Sequence, residues 1–598
     1  MNAPEVVPHA EPKADTAAHQ AIADQWLSDW EAACTSGKAS ALADCLTPDC
    51  HWRDLVAFHW SVHTWSGHEA VLAQLSTCLP STTPSAWRRH ASKPLTRWVE
   101  RDGHTWLEVS IEFDTQLARG EGLVRLKRSP AGQWQAWTLM TTVQWFKGHE
   151  PKAMRKAAPT EHIRRFQGPN WADRRAEAMR YTDRQPEVLV VGAGQAGLSI
   201  AARLTQLGVD TLVVDKHQQL GDNWRTRYHA LVLHNKATVN HLPFMPFPSI
   251  WPTYIPKDKL ADWMAYYAQA MEINHWMETE FCGAQWQPST QDWRVTLRSQ
   301  GTERVLQPKH VVLATGVSAV PNRTPLAGME AFQGQVMHTH DYQGAQPWLG
   351  KRVVVFGSGT SGHDVAQDLQ NHGVEVCMVQ RSPTMVQNIE PTAQLPYELY
   401  DGDLGTDVCD LITVGTPMDM IKAANLRYLK LAQASDMELH EGLRRAGFRL
   451  DDGSSHGMNW QMLYLTRGGG YYFNVGCSNL IADGQLPVLA LQDIAHFESD
   501  GLRMKDGRHV PADLMVTATG YHGISTMVEQ LMGKDVADRV GQVWGIDNQT
   551  QELANMWQPT QQPGLWFIAG AFAQCRIYSQ PLALQIQAQL RGLAPTAA

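Results

Sequence analysis

The chain has 598 residues and a formal net charge of −9, with 43% hydrophobic and 19% charged residues. That length predicts several ordinary globular domains, and the mixed charge leaves no basic stripe for nucleic acid. No window approaches the ~18 unbroken apolar residues of a spanning helix, which excludes stable membrane insertion.

The opening MNAPEVVPHAEPKADTAAHQ lacks the basic-then-apolar order of a secretory signal, so residues 1–16 are expected to be a disordered tail on a cytoplasmic protein. From 17 to 150 the pattern changes. Ile22, Trp26, Trp30 and Ala33, then Leu42 and Leu46, recur at helical spacing. The runs HTWLEVSIEFDTQ, GEGLVRLKR and QWQAWTLMTTVQW follow, parted by Asp-Gly and Pro-Ala-Gly turns, and predict a curved antiparallel sheet against those helices. With WRDLVAF at 52–58 and SGHEAVLAQL at 66–75, this α+β segment resembles the ketosteroid-isomerase-like, or SnoaL-like, cone of the nuclear-transport-factor-like superfamily. Asp54 and His59 could serve such a cone as acid and base. Fused to a larger enzyme, a cone more commonly packs against it or forms a homodimer.

Nine cysteines, an odd number with no CxxC, predict reduced and mostly buried thiols. Cys45 and Cys50 form a CxxxxC, but it lies far upstream of any nucleotide motif, so it reads as two core thiols near a helix end. No metal site is expected. Residues 151–185, charged and broken by Pro and Gly, predict a linker with some helix.

The chemistry starts at 186. GAGQAG at Gly192 to Gly197 follows the apolar run EVLVV, and GSGTSG at Gly357 to Gly362 follows KRVVVF. Each is a strand, a glycine turn and a helix whose N-terminal N–H groups face a pyrophosphate. Two such units predict two dinucleotides, a flavin and a nicotinamide. The expected fold is therefore α/β: two nested Rossmann-like domains, with FAD bound by 186–345 and 495–598 and NADPH by 346–494, preceded by the cone. Asp215 ends the second strand of the first unit, where a carboxylate accepts from a ribose hydroxyl. In the second unit that position is Gln380, followed by Arg381 and Ser382; a guanidinium there suits a 2′-phosphate, which favours NADPH over NADH.

LHNKATVNHLPFMPFP at 233–248, the WPTYIPKDKL run after it, and FQGQVMHTHDYQ with Phe332, Gly334, His338 and Tyr342 resemble the flavin-containing monooxygenases, nearest to the YUCCA-like and bacterial subgroup that carries an N-terminal cone. The signature departs from the family only at its last position, Gln343. Baeyer–Villiger enzymes would place Trp where Tyr342 stands. Two ATG segments, at 314–316 and 518–520, match the family's crossings between nucleotide domains.

The resemblance implies a cofactor-binding set of Gly192, Gly194, Gln195, Gly197, Asp215, Lys216, Trp224 and Arg225 for FAD. For NADPH it is Gly357, Ser358, Gly359, Thr360, Ser361, Gly362, Arg381 and Ser382, with Thr519 and Gly520 at a crossing and Gly570 and Gln580 beside the isoalloxazine. It also implies a side-chain amide near the flavin. Counting back from Pro246-Phe247-Pro248 places that amide at His234, while Asn235, one residue on, is the better chemical match, so both are candidate catalytic residues. His338 is expected to be structural.

The implied activity is an NADPH- and O2-dependent monooxygenase that puts one oxygen atom into a small organic substrate through a hydroperoxyflavin, at a soft nitrogen or sulfur nucleophile. Oxidative decarboxylation of a 2-oxo acid and Baeyer–Villiger insertion remain open, as does a reductase or NADPH oxidase whose cone binds a ligand.

Overall fold

The computed structural model describes residues 16–101, 103–154 and 167–594. The expected tail up to residue 15 and the middle of the linker, 155–166, lie outside them. Of the linker, the described parts are a short 3-10 turn at Lys152–Met154 and a helix at Trp171–Ala178 opened by an Asn170/Asp173 capping box.

The N-terminal unit is a seven-stranded sheet wrapped on helices Thr16–Ser36, Ala39–Asp44 and His68–Thr82. Along His104–Asp114, Leu107, Val109, Ile111 and Phe113 face the helices and are fully buried. Period-two alternation turns Glu108, Ser110 and Glu112 to the other face. That face is buried too, because the rest of the chain covers it. Leu46, read as helical, instead opens the strand Leu46–Leu55, which pairs in parallel with Trp134–Phe146; the helix stops at Asp44 and Cys45 caps it. All nine cysteines are free, and burial pushes Cys45 up to about 11 and Cys50 to about 12.

Two parallel five-stranded sheets follow. The first runs Asn274–Trp276, Thr211–Val214, Val188–Val191, His310–Leu313, Leu565–Phe567. The second runs Gln335–His338, Leu514–Thr517, Arg352–Phe356, Glu375–Gln380, Val488–Ala490. Each carries a three-stranded antiparallel meander, at 279–306 and 494–511. The second sheet thus takes strands from outside the 346–494 assigned to it by sequence. Its edge strand Gln335–His338 comes from before Gly357 and the next, Leu514–Thr517, from after the meander, where composition alone marks no boundary.

A helical insertion leaves the second unit between Met385–Asn388 and Tyr471–Asn474, two strands that pair in parallel and close its base. The two units join at Val320–Pro321 and Tyr521–His522, which pair antiparallel.

Candidate functional site

The two fingerprints repeat one geometry. Gly192 and Gly357 hold φ of +108° and +119°, where a Cβ would strike Ala314 O at 2.7 Å and Ala518 O at 2.5 Å. Gly197 and Gly362 pack their helices so closely that a Cβ would lie 1.8 Å and 2.1 Å from the carbonyls of Gly192 and Gly357. The middle glycines face open room: a Cβ on Gly359 would meet nothing within 4 Å, and on Gly194 only Asn223 Nδ2, at 3.2 Å. Each middle glycine is the N-cap of its helix, with no side chain using the free N–H groups. This is the shape a pyrophosphate needs, so the residues present fit two dinucleotides.

At the first cradle, Asp215 accepts from Ala193 N (2.7 Å) and from His217 N and Nδ1 (2.9 and 2.6 Å). Burial would raise Asp215, but those bonds hold it below the usual carboxylate range, ionised and able to accept more. Trp224 stacks on Phe572, and its Nε1, like Thr315 Oγ1, is buried with no partner among the described residues. Arg225 is tied to Asp222 and to Asp262 (3.0 Å), and Lys216 is exposed. Gln195 reaches across to Gly570 O (3.3 Å), joining the first helix to the turn before the closing helix Phe572–Leu590.

At the second cradle, Ser358 bonds Thr384 (2.7 Å), Thr360 Oγ1 donates to Tyr471 O (3.2 Å), and Ser361 is half-buried. Arg381 and Ser382 are exposed at the strand's end. Gln380, by contrast, is buried and double-bonded to the Arg449 backbone (2.9 and 2.7 Å). Arg449 also donates from Nη1 to Arg381 O (3.0 Å), which sets its guanidinium against the Arg381 backbone. Sequence reading missed Arg449, since nothing local ties position 449 to 381. Thr519 donates to Asn322 O (2.6 Å) and so closes the crossing; at Gly520, with φ +80°, a Cβ would meet nothing within 4 Å.

His338 donates to Gly520 O (3.2 Å) and accepts from His340 N (3.0 Å), so both ring nitrogens serve the crossing. Tyr342 OH donates to Asp368 Oδ2 (2.6 Å), and Tyr228 OH bonds Asp364, both on helix Thr360–Asn371. Tyr228 thus ties the first unit to the second, whereas the signature's Tyr342 braces the second unit itself. Burial raises Asp364 to about 6, with Tyr228 opposing.

His234 and Asn235 lie on the strand Val232–Lys236. Asn235 Nδ2 donates to Tyr397 OH (3.5 Å), and its Oδ1 is buried without a partner among the described residues. The His234 ring meets Phe473 edge-on at 5.0 Å, and Gln394 donates to its carbonyl (3.0 Å). Desolvation by the surrounding protein lowers His234 to about 4, keeping it neutral. Tyr464, on the helix Trp460–Arg467 of the insertion, donates to Gln574 Oε1 (2.9 Å) beside Gly570. The aromatic density of 460–473 was the sequence signal for this cluster.

Gln580, expected beside the flavin, lies on the closing helix against the N-terminal unit. It sits about two turns into the closing helix, ~13 Å along its axis, and donates instead to Val143 O of the N-terminal unit (3.3 Å). Tyr578 likewise accepts from Arg53 (2.9 Å) while stacking on Trp557 at 4.1 Å. Arg53 also forks onto Glu552 (2.7 and 2.6 Å) and caps helix Thr406–Val414 through Val414 O (2.5 Å). Arg125 caps the same helix end at Gly415 O (2.6 Å). Asp54 is saturated by Phe58 N, His59 N and Thr141 Oγ1, with His59 Nδ1 at 3.3 Å, and is fully buried. It caps a loop and offers no free base.

Fold and site together define an oxidoreductase built on paired dinucleotide-binding units. The family model for pyridine nucleotide-disulphide oxidoreductases matches residues 186–398. Indole-3-pyruvate monooxygenase YUCCA1 of Oryza sativa subsp. japonica is 32% identical over 343 residues, 56% of this chain and 77% of that protein. Probable indole-3-pyruvate monooxygenase YUCCA9 of Arabidopsis thaliana is 30% identical over 338 residues, 56% and 74% of the two chains. Among solved structures, the flavin-containing monooxygenase from Stenotrophomonas maltophilia is 16% identical with a TM-score of 0.47, covering 68% of this chain and 99% of that one. Cyclohexanone monooxygenase from Rhodococcus sp. Phi1, bound to NADP+, is 17% identical with a TM-score of 0.48, covering 68% and 85%. The chain belongs to the YUCCA-like family of flavin monooxygenases. Among the described residues no helix is long and apolar enough to cross a membrane.

Proposed function

We propose that this monooxygenase binds FAD at the first cradle and NADPH at the second, and passes one atom of O2 to a small organic molecule at a soft nitrogen or sulfur. One contact chain supports the reading: Gln195 meets Gly570, Gly570 adjoins Gln574 and Tyr464, and Thr360 meets Tyr471, so both fingerprint helices are tied to one aromatic cluster. When bound, the two cofactors supply the electrons that split O2, one atom going to substrate and the other, with NADPH and a proton, to water.

The chain's own residues bind, orient and exclude water. The cradle N–H groups hold the pyrophosphates, Arg381 with Arg449 holds a 2′-phosphate, and Asp215 holds a ribose. Asn235 is the oriented amide of the site, and neutral His234 beside it adds no charge to repel or trap a reacting oxygen.

The test is product per NADPH. With air and NADPH, a competent amine or sulfide should give its N- or S-oxide at close to one per NADPH oxidised. Asn235→Ala should divert electrons to H2O2. Peroxide equal to NADPH with every substrate would instead support an oxidase. The relatives' names support a second reading, oxidative decarboxylation of a 2-oxo acid, which CO2 release from such an acid would reveal.

A further inference from the structure

The segment that carries Asn235 is held from the closing helix by one side chain. Arg576, one turn into Phe572–Leu590 and 4% exposed, donates from Nη1 to two carbonyls of the same turn, Val239 O (2.8 Å) and His241 O (2.9 Å). Its other two nitrogens fork onto Asp410, Nε to Oδ2 and Nη2 to Oδ1, both at 2.7 Å. Asp410 lies on helix Thr406–Val414, whose C-terminal end Arg53 and Arg125 cap, and it also accepts from Tyr400 OH (2.8 Å).

Between the two carbonyls sits Asn240. It is buried, and its Nδ2 reaches back to donate to Asn235 O (2.8 Å). The turn is closed by Val239 N to Lys236 O and Asn240 N to Ala237 O, both at 3.1 Å, and Val239 packs in one small core with Tyr400, Cys409 and Ala573. Lys236 and Thr238 also reach Asp401 (2.8 and 3.4 Å), but at the surface, where such contacts contribute little. The side chain of Asn235 itself is weakly held: its bond to Tyr397 OH spans 3.5 Å, the outer limit for a hydrogen bond. The direction of that amide is therefore set by its backbone, and the backbone is set by Asn240 and Arg576.

A guanidinium suits this junction because its planar fork offers two nitrogens to a carboxylate and turns the third toward the carbonyls, in charge-assisted bonds. A lysine would keep the charge beside Asp410, yet its single nitrogen cannot hold both sets. We infer that Arg576 is a positioning residue: paired with Asp410, it fixes the turn at 239–241 and, through Asn240, aims the Asn235 amide. The inference rests on Asn235 being the oriented amide of the oxygenation site.

Arg576→Lys, Asn240→Ala, Asn235→Ala and the double variant of the two asparagines test it on the FAD-loaded enzyme. Two readouts are taken, hydrogen exchange of the backbone amides at 237–241 and product per NADPH oxidised with a competent sulfide. In Arg576→Lys, exchange at Val239 should quicken by about tenfold or more, while exchange at the Gly192–Gly197 turn stays parental. Asn240→Ala keeps the arginine fork, so exchange at Val239 should hold. Product per NADPH should fall by about tenfold in both variants, with NADPH oxidation undiminished. A merely structural arginine would change exchange and resistance to urea without moving that ratio. Because Asn240 acts through Asn235, Asn240→Ala should add nothing in an Asn235→Ala background. Parental exchange in Arg576→Lys overturns the proposal, as does parental coupling in Asn240→Ala beside an uncoupled Asn235→Ala, or a further loss in the double variant. If Asn235→Ala itself stays coupled, the amide reading fails, and quickened exchange in Arg576→Lys would still establish the arginine's hold on the turn.

Discussion

Arg53 is the residue by which the N-terminal unit grips the rest of the chain, so replacing it with Met makes a sharp test of that interface. Its guanidinium is 5% exposed and serves three separate segments: Glu552, Val414 at a helix end, and Tyr578 on the closing helix. Glu552 is 6% exposed; besides Arg53 it accepts from Thr64 Oγ1 (2.8 Å). Arg53→Met therefore strands a buried carboxylate, and removing one partner of such a pair costs about 3–5 kcal/mol. Arg53→Lys keeps the charge but loses the fork and should cost about 1–3 kcal/mol. Arg53→Met with Glu552→Met removes both charges and should recover to within about 1–2 kcal/mol of the parent. Urea unfolding of the flavin-loaded protein, followed by tryptophan fluorescence and by flavin release, measures each variant. A stability loss below about 1 kcal/mol in Arg53→Met, or a double variant as weak as the sum of its singles, would refute the reasoning.

Gly194→Val should purify colourless, because the branched side chain would press on Asn223, 3.2 Å from the added Cβ, and fill the turn proposed to hold the flavin pyrophosphate; a yellow, fully loaded protein would move FAD elsewhere. Arg381→Ala should raise KM for NADPH by about 10- to 100-fold and spare NADH, and adding Arg449→Ala should deepen the loss; equal effects on both nucleotides would release these arginines from the 2′-phosphate. Asp364, raised by burial to about 6 against ~3.9 when unfolded, binds its proton more tightly in the folded state. Its contribution, about 2–3 kcal/mol, is full below pH ~4 and is lost as pH rises through about 6. Asp364→Asn should flatten denaturation midpoints across that window, whereas a slope identical to the parent's would show that Asp364 titrates normally.

Some of this protein is written locally and some is not. Glycine at 197 and 362 follows from contacts within six residues of chain, with the carbonyls of Gly192 and Gly357, and such contacts leave a motif in the sequence, whereas Gly192 and Gly357 also answer to Ala314 and Ala518 far along the chain. The end-of-strand residues Asp215 and Arg381 belong to the same local grammar. In the N-terminal unit the first helix and the three runs within 104–146 were legible from period 3.6 and period 2, whereas four of its seven strands were not read, and at Leu46 parallel pairing with Trp134–Phe146 overrides a helical spacing. What sequence could not reveal depends on elements far apart in the chain. The guanidinium of Arg449 lies against the Arg381 backbone only because Gln380 binds the backbone of Arg449. Gln580 meets Val143 because the N-terminal unit packs on that stretch of helix. Arg53 finds Glu552 some five hundred residues away. The aromatic cluster is assembled from the strand of His234, the turn of Tyr397 and the helix of Trp460. Each depends on a packing angle between separate elements, and no spacing along a single chain records an angle in space.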